Sequence, residues 1–377
     1  MKTRRAFLKT AGGTALALST GCSGLAQSAV TQEWRNRQSG MSYRPLGKTG
    51  FMVSGVVMGG NEIRPENYDH VLRALDSGLN YLDTAPAYGQ GESERAYAKV
   101  IKARNRDTFF LNSKVSLWDD NRKELFQQIF DKQSESEQKK LKTLAQDNIE
   151  AKRAADPDYL VNYFDSQIGE LEAAALSNVM EMKYGHLIDR DKNYRQLILD
   201  SVDQSLTRLE TDHLDILMCP HGASSAEELL NYPEIFEAFE ILKKAGKVRH
   251  LGVSAHSDPA GVLEAAVKSK QYAVAMVACN IVNHRRLSSA LKLAAEAQLG
   301  VISMKVARAV YPGLGRGEVD AARVDAMHAA VGGQWKLPQK AYLWALRHPH
   351  ISATVSNMVN HDQVKENMIL PQVAKEA

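Results

Sequence analysis

Residues 197–219 read LILDSVDQSLTRL-ETDH-LDILMC, and this stretch decides the fold. Its first part sets Leu197, Ile198, Val202, Leu206 and Leu209 at helical spacing, which makes one face apolar. A polar connector then yields to the apolar run Leu214–Cys219, the length of a buried strand. The same alternation runs outward in both directions. Further strand candidates are Ser54–Met58, Asn80–Thr84, Phe109–Lys114, His250–Ser254, Val274–Asn280, Val301–Lys305 and Ser352–Val355. Helical patterns sit between them at Asn67–Asp76, Pro233–Ala245, Pro259–Lys268, Arg286–Gln298 and Pro338–Arg347, with Pro opening three of these helices. Strands each followed by a helix predict an α/β fold: a parallel sheet closed into a (β/α)8 TIM barrel. An open doubly wound sheet is the alternative, disfavoured because no G-x-G-x-x-G follows the first strand.

The composition supports a folded body. Of 377 residues, 44% are hydrophobic and 24% charged, which excludes disorder. The formal net charge of +3 comes from Lys2, Arg4, Arg5 and Lys9; without them 43 basic residues face 44 acidic ones. A near-neutral body argues against nucleic acid as a partner. Three cysteines make no disulfide framework, and Cys219 and Cys279 lie in apolar runs as buried thiols. His186, His213, His250, His348 and His350 lack metal-ligand spacing, so no metal is expected. Phe236 and Phe239 read as core on an apolar stripe.

The first residues read differently. Residues 1–28 have a basic start and the short apolar run Ala11–Leu18, too short for a membrane span of about 20 residues. Arg4-Arg5 followed by Phe7-Leu8-Lys9 resembles a twin-arginine export signal, with an ordinary secretory signal as the alternative. The expected location is the periplasm. Cys22 is a candidate lipid anchor, the one membrane link expected, although Ser19 stands where a lipoprotein signal puts Leu.

A second stretch breaks the barrel's rhythm. Residues 116–192 lie between the third strand and its helix, where a connection of about 2–6 residues is usual. The segment is charge-rich, and residues 121–168 hold no Gly, so a helical insertion is expected. Phe126, Ile129 and Phe130, then Leu160, Tyr163, Phe164 and Ile168, read as helical apolar stripes. Such an insertion is either a helical hairpin on the flank or a lid, because a loop leaving a barrel strand opens on the catalytic face.

The chemistry concentrates at strand tips. Asp83 ends the second strand, Tyr88 follows it, Lys114 ends the third and His221 follows the fourth. In a barrel these tips converge. An ammonium beside a phenol lowers its pKa, a carboxylate holds the ammonium, and the phenol can then exchange a proton with a developing alkoxide. A plain Asp83–Lys114 ion pair with a rim Tyr88 is the bland alternative.

These residues sit inside longer motifs. Tyr43–Ser54 reads YRPLGKTGFMVS, Gly78–Ala85 reads GLNYLDTA ahead of Tyr88-Gly89 and Glu92-Ser93-Glu94, Ser201–Leu209 leads to Asp212 and Asp215, and Gly300–Lys305 reads GVISMK. Together they resemble the aldo/keto reductase family over residues 42–370, interrupted by the insertion. The resemblance implies a barrel enzyme that interconverts a carbonyl and an alcohol by hydride transfer with NADP(H) or NAD(H). It implies Tyr88 as acid/base, Lys114 as its tuner, Asp83 as the partner of Lys114, and His221 orienting the carbonyl. It places nucleotide contacts at Gly60, Asn61, Ser254, Asn280, Met304, Lys305, Ser356, Gln363, Glu366 and Asn367.

Departures from the family pattern are specific. His221 falls one residue late after Asp215, and a bulge at Pro220 would restore its aim. Ser254 is followed by Ala255 and His256 where the family often has Asn; Asn280 replaces a Gln; Met304 replaces a stacking Tyr; Gln363 replaces a phosphate-binding Arg. The partner expected is a small carbonyl or alcohol, sugar-like in one reading. An exported enzyme meets little free nucleotide, a difficulty that the twin-arginine route resolves if the cofactor is bound before export and stays; whether it is trapped is not legible. An isomerase or lyase using transient oxidation, and a non-catalytic nucleotide-binding barrel, are the alternatives. Substrate identity and oligomeric state are not legible.

Overall fold

The computed structural model describes residues 31–311 and 319–376; residues 1–28, read above as an export signal, and Cys22 lie outside them. A small sheet comes first, from β1 (Glu33–Trp34), β2 (Tyr43–Pro45) and β3 (Phe51–Ser54). The barrel follows: β4 (Val56–Gly59), β5 (Tyr81–Asp83), β6 (Phe110–Lys114), β7 (Leu214–Ala223), β8 (Val248–Ala255), β9 (Val274–Ala278), β10 (Gly300–Met304) and β11 (Ala353–Ser356). Neighbours pair in parallel, and β11 pairs with β4 to close the ring. The predicted (β/α)8 barrel is therefore the observed fold. Ser54, read as the start of the first barrel strand, belongs instead to β3, because it pairs with Tyr43 across the leading hairpin.

Inward side chains of the strands make the barrel's own core, with Val57, Tyr81, Ile216, Met218, Met276 and Ile302 all buried. Burying each such side chain is worth about 1.5–3 kcal/mol. The leading hairpin caps the amino-terminal end. Leu46 and Phe51 join that core, and Phe51 stacks on Phe110 at 4.2 Å. Asp215, fully buried at the same end, is held by Arg106 at 2.8 Å, Arg249 at 2.8 Å and Arg35 at 3.1 Å. Burial alone raises a carboxyl pKa, but Arg106 and Arg35 keep Asp215 below its ordinary value. This end is built for stability, which leaves the carboxyl ends of the strands for chemistry.

Helices α1 (Asp69–Asp76) and α2 (Glu92–Ala103) follow β4 and β5. Between β6 and α6 (Leu197–Leu209) stand three further helices: α3 (Leu117–Phe130), α4 (Glu135–Lys152) and α5 (Gln167–Tyr184). They share a small core of their own, including Phe126, Phe130, Leu141, Ile149, Leu171 and Met180. Arg122, fully buried on α3, ties this unit to the barrel. It donates to Asn178 Oδ1 at 2.7 Å and lies 3.5 Å from Glu228, while Glu228 accepts from Ser224 N–H at 3.1 Å.

One expectation fails here. Leu160, Tyr163 and Phe164 are not on a helix: residues 153–166 run as turns and irregular chain between α4 and α5, and Ile168 is exposed. Arg153 ends α4 in the left-handed conformation with φ 51°, and Pro157 follows it. The aromatic residues of this strap are held by the barrel, not by a helix of their own.

Candidate active site

Strand register brings the predicted tetrad to one level. Gly59 pairs with Asp83, Asp83 with Asn112, Lys114 with Met218, and His221 with Ser254. Lys114 is about as buried as a lysine can be, at 1% exposure, and its ammonium donates to Asp83 Oδ1 and to Thr84 C=O at 2.8 Å. Asn112 Nδ2 donates to the same carboxylate oxygen at 2.8 Å. A buried charge needs such a partner set, because an unpaired ammonium here would cost several kcal/mol. Burial draws the Lys114 pKa down, but Asp83 and Tyr88 more than offset it, so the group stays charged.

The Lys114 ammonium lies 4.6 Å from the centroid of the Tyr88 ring. It favours phenolate, as the spacing predicts. The net outcome is the reverse of the expected lowering: burial dominates, Asp83 adds to it, and Tyr88 stays above its ordinary value. Tyr88 thus keeps its proton in the free protein, as a proton donor must.

His221 faces Tyr88, with ring centroids 6.0 Å apart. The expected bulge is present: the β7–β8 register shifts between Met218 and His221 and again before Ala223. Burial, with Lys114 and Lys305 nearby, pushes the His221 pKa down to about 3. The imidazole is neutral, and Ser116 Oγ meets its Nδ1 at 2.8 Å.

The nucleotide positions divide. Ser254 is buried beside His221 in register, and Met304 is buried at the end of β10, followed by Lys305 with φ 59°. Asn61 is exposed and donates to Glu62. Gly60 has a packing reason to be glycine: a Cβ there would meet the Asp83 carbonyl oxygen at 2.3 Å. Asn367 donates to Ser356 Oγ at 3.1 Å, Glu366 accepts from Lys336 at 2.5 Å, and Gln363 accepts from Val359 N–H at 2.9 Å. These last four stand together around the end of β11 but are engaged with one another, with Val359 or with Lys336.

Asn280 is the position most changed by the fold. It follows β9 instead of ending it, and its Nδ2 donates to the Tyr163 hydroxyl at 2.6 Å. Tyr163 belongs to the strap, which crosses the carboxyl ends of β8, β9 and β10. Tyr159 donates to Asp258 Oδ1 at 2.6 Å and accepts from Ala260 N–H at 2.9 Å. Gln167 Nε2 donates to His256 C=O, the Phe164 ring lies 5.6 Å from His256, and Lys305 Nζ lies 5.7 Å from the Phe164 ring. Arg286 holds Asp156 and Asp158 at 3.3 and 3.2 Å. His256 Nδ1 is buried with no hydrogen-bond partner among the described residues. An orphaned polar atom at a barrel mouth fits a polar ligand group.

The sequence reading missed Ser116, Asn112, Tyr159 and His256. Asn112 carried a signal, since it lies two residues before Lys114 on the same face of β6. Ser116 and Tyr159 lie in no motif, and Tyr163 reads only as part of an apolar stripe. No cluster of His, Cys, Asp and Glu among the described residues is arranged to hold a metal. Cys219 and Cys279 are buried, and burial pushes the Cys279 thiol up to about 12.

Comparison with known proteins agrees with this geometry. Aldo-keto reductase YhdN of Bacillus subtilis is 32% identical over 218 residues, covering 57% of this chain and 44% of its own. The matched regions span 64%, 50% and 44% of the lengths of three curated relatives. The solved aldo-keto reductase AKR11C1 of Bacillus halodurans, in its holo form, superimposes with a TM-score of 0.56 at 24% identity, covering 89% of this chain and 91% of its own. An aldo-keto reductase of Klebsiella pneumoniae, solved in complex with NADPH, gives 0.54 at 17% identity, covering 88% and 90%. A family model described as "Aldo/keto reductase family" matches residues 55–177 and 188–370. With most of the chain matched and the strand tips converging as described, this protein belongs to the aldo/keto reductase family.

Proposed function

We propose that the protein is an NAD(P)(H)-dependent oxidoreductase that interconverts a small carbonyl compound and its alcohol. The observation that carries this is the buried Asp83–Lys114 pair against Tyr88, with neutral His221 opposite. A bound nicotinamide nucleotide supplies or accepts the hydride. The chain does the rest. Tyr88 donates its proton to the carbonyl oxygen as charge grows there. Lys114 lowers the cost of the phenolate left behind, Asp83 holds Lys114, and His221 donates a hydrogen bond that orients the carbonyl.

Ser254, Met304, Lys305 and the orphaned His256 Nδ1 fit the nicotinamide end of the cofactor. Ser356, Gln363, Glu366 and Asn367 form the adenosine end, with Gly60 and Asn61 at its edge. Without an Arg at 363, preference for NADPH over NADH is modest. Residues 116–192 act as an insertion whose strap lies over the nicotinamide end. The Arg4-Arg5 motif supports export to the periplasm through the twin-arginine route, with Cys22 as a candidate lipid site.

The strap also favours a second reading. A nucleotide held beneath it during export serves repeated turnover, including an isomerase or lyase cycle that oxidises and re-reduces one sugar-like substrate. Absorbance in the reduced-nicotinamide band tests both. Purified protein loaded with NADPH or NADH should lose the band when a carbonyl substrate is added. If it does so with one product per bound nucleotide, it is a reductase; if product accumulates beyond the nucleotide present, the cycle is closed. No binding of either nucleotide, and no bleaching across a panel of aldehydes and keto sugars, refutes the proposal.

A further inference from the structure

Ser116 occupies the N-cap of α3, the residue before Leu117. Serine is among the best N-caps because its hydroxyl accepts from an exposed N–H in the first helical turn, worth about 1 kcal/mol. Ser116 does not do this. Its backbone is already helical, with φ −71° and ψ −30°, and its side chain makes no cap hydrogen bond. The hydroxyl turns instead into the barrel mouth, where its Oγ lies 2.8 Å from His221 Nδ1. The same oxygen accepts from Ala87 N–H at 3.4 Å, in the turn that carries Tyr88. A residue that breaks a local rule without local gain marks a functional position.

We infer that Ser116 is a positioning residue that sets the tautomer of His221. The hydroxyl has one proton. Its oxygen already accepts from Ala87, so the arrangement that satisfies all three groups has Ser116 O–H donating to Nδ1. A neutral imidazole that accepts at Nδ1 carries its proton on Nε2. That leaves Nε2–H as the donor for a carbonyl oxygen held between His221 and Tyr88. Ser116 therefore links the turn of the proton donor to the group that orients the substrate. The role in catalysis rests on the carbonyl-reductase reading above; the tautomer does not.

The test separates the two. Nitrogen-15 NMR of the His221 ring in the full-length protein, without substrate, should show an unprotonated Nδ1 and a protonated Nε2. Ser116→Ala should lose this fixed tautomer while keeping its fold, since no cap bond is removed. With an accepted carbonyl substrate, kcat should fall about tenfold, the effect of losing one well-placed hydrogen bond. Nucleotide affinity should stay unchanged, and Ser116→Thr should restore both tautomer and rate. A wild-type ring protonated on Nδ1 overturns the inference even if no variant folds. So does a Ser116→Ala protein with the wild-type tautomer, or with an altered tautomer and an unchanged kcat. If no carbonyl is reduced at all, the functional reading fails while the NMR result still decides the tautomer.

Discussion

Replacing Tyr163 by Phe tests the strap at its most buried contact. Tyr163 is 2% exposed, and its hydroxyl accepts from Asn280 Nδ2 at 2.6 Å. The Asn280 side-chain oxygen already accepts from Val282 N–H at 3.0 Å, so the amide oxygen and one of its two N–H groups are engaged within the protein. In the functional reading the nucleotide competes with Tyr163 for that N–H. Tyr163→Phe leaves a buried amide donor without a partner, which costs about 1–3 kcal/mol. The free protein should melt lower by roughly 2–4 °C per kcal/mol. The nucleotide no longer has to break a bond worth about 0.5–1.5 kcal/mol net. Affinity should therefore rise by about 2- to 10-fold. The measurements are thermal unfolding with and without NADPH and NADH, and fluorescence titration of each nucleotide. A variant that melts lower but binds both nucleotides with wild-type affinity would show that the nucleotide does not take the Asn280 N–H that Tyr163 holds. A variant with unchanged melting would refute the buried bond itself.

Three other outcomes are expected. Tyr88→Phe should abolish turnover of any accepted carbonyl while leaving nucleotide affinity within about twofold of wild type, since only the proton donor is lost; retained turnover in steady-state assays removes Tyr88 from the acid role. Gln363→Arg should raise the ratio of NADPH to NADH affinity by about 10-fold or more, because a charge-assisted phosphate contact is worth about 1.5–3 kcal/mol; an unchanged ratio in competition titrations misplaces the adenosine end. His221 is held at about 3 in the folded protein, against an ordinary value of 6.5. The unfolded chain then binds the extra proton, so this group's contribution to stability is full above about 6.5 and is lost as pH falls toward about 3. Between pH 7.5 and 5 the wild type should lose on the order of 1–2 kcal/mol more than His221→Asn in urea unfolding. Equal losses would mean that His221 is not held neutral in the folded protein.

The barrel was legible because its signal is local and repeated. Leu214–Cys219 after Leu197–Leu209 shows the period of a helix followed by that of a buried strand, and the structure places β7 at Leu214–Ala223 behind α6 at Leu197–Leu209. Asp83, Lys114 and His221 were legible for the same reason. Asp83 and Lys114 end β5 and β6, and His221, expected just past its strand, lies inside β7 near its carboxyl end; a closed parallel barrel admits one arrangement of strand ends. Even the extra residue before His221 predicted its bulge by counting.

What tertiary structure decided is what depends on distance across the chain. The sign of the Tyr88 shift is a contest between desolvation and Lys114, and desolvation is a property of packing that spacing cannot supply. Ser116 and His221 stand 105 residues apart, so the serine is aimed at the histidine only once β6 and β7 are neighbours. The strap carries the same lesson. Leu160, Tyr163 and Phe164 have helical spacing but no helix: Leu160 packs into the core of the inserted helices, and the barrel mouth offers Tyr163 and Phe164 Ala278, Asn280 and His256. Local sequence determines which segments curl or extend, since that is settled within a few residues. Which polar atoms meet at the mouth is settled by where distant strands end, and that is known only after the ring has closed.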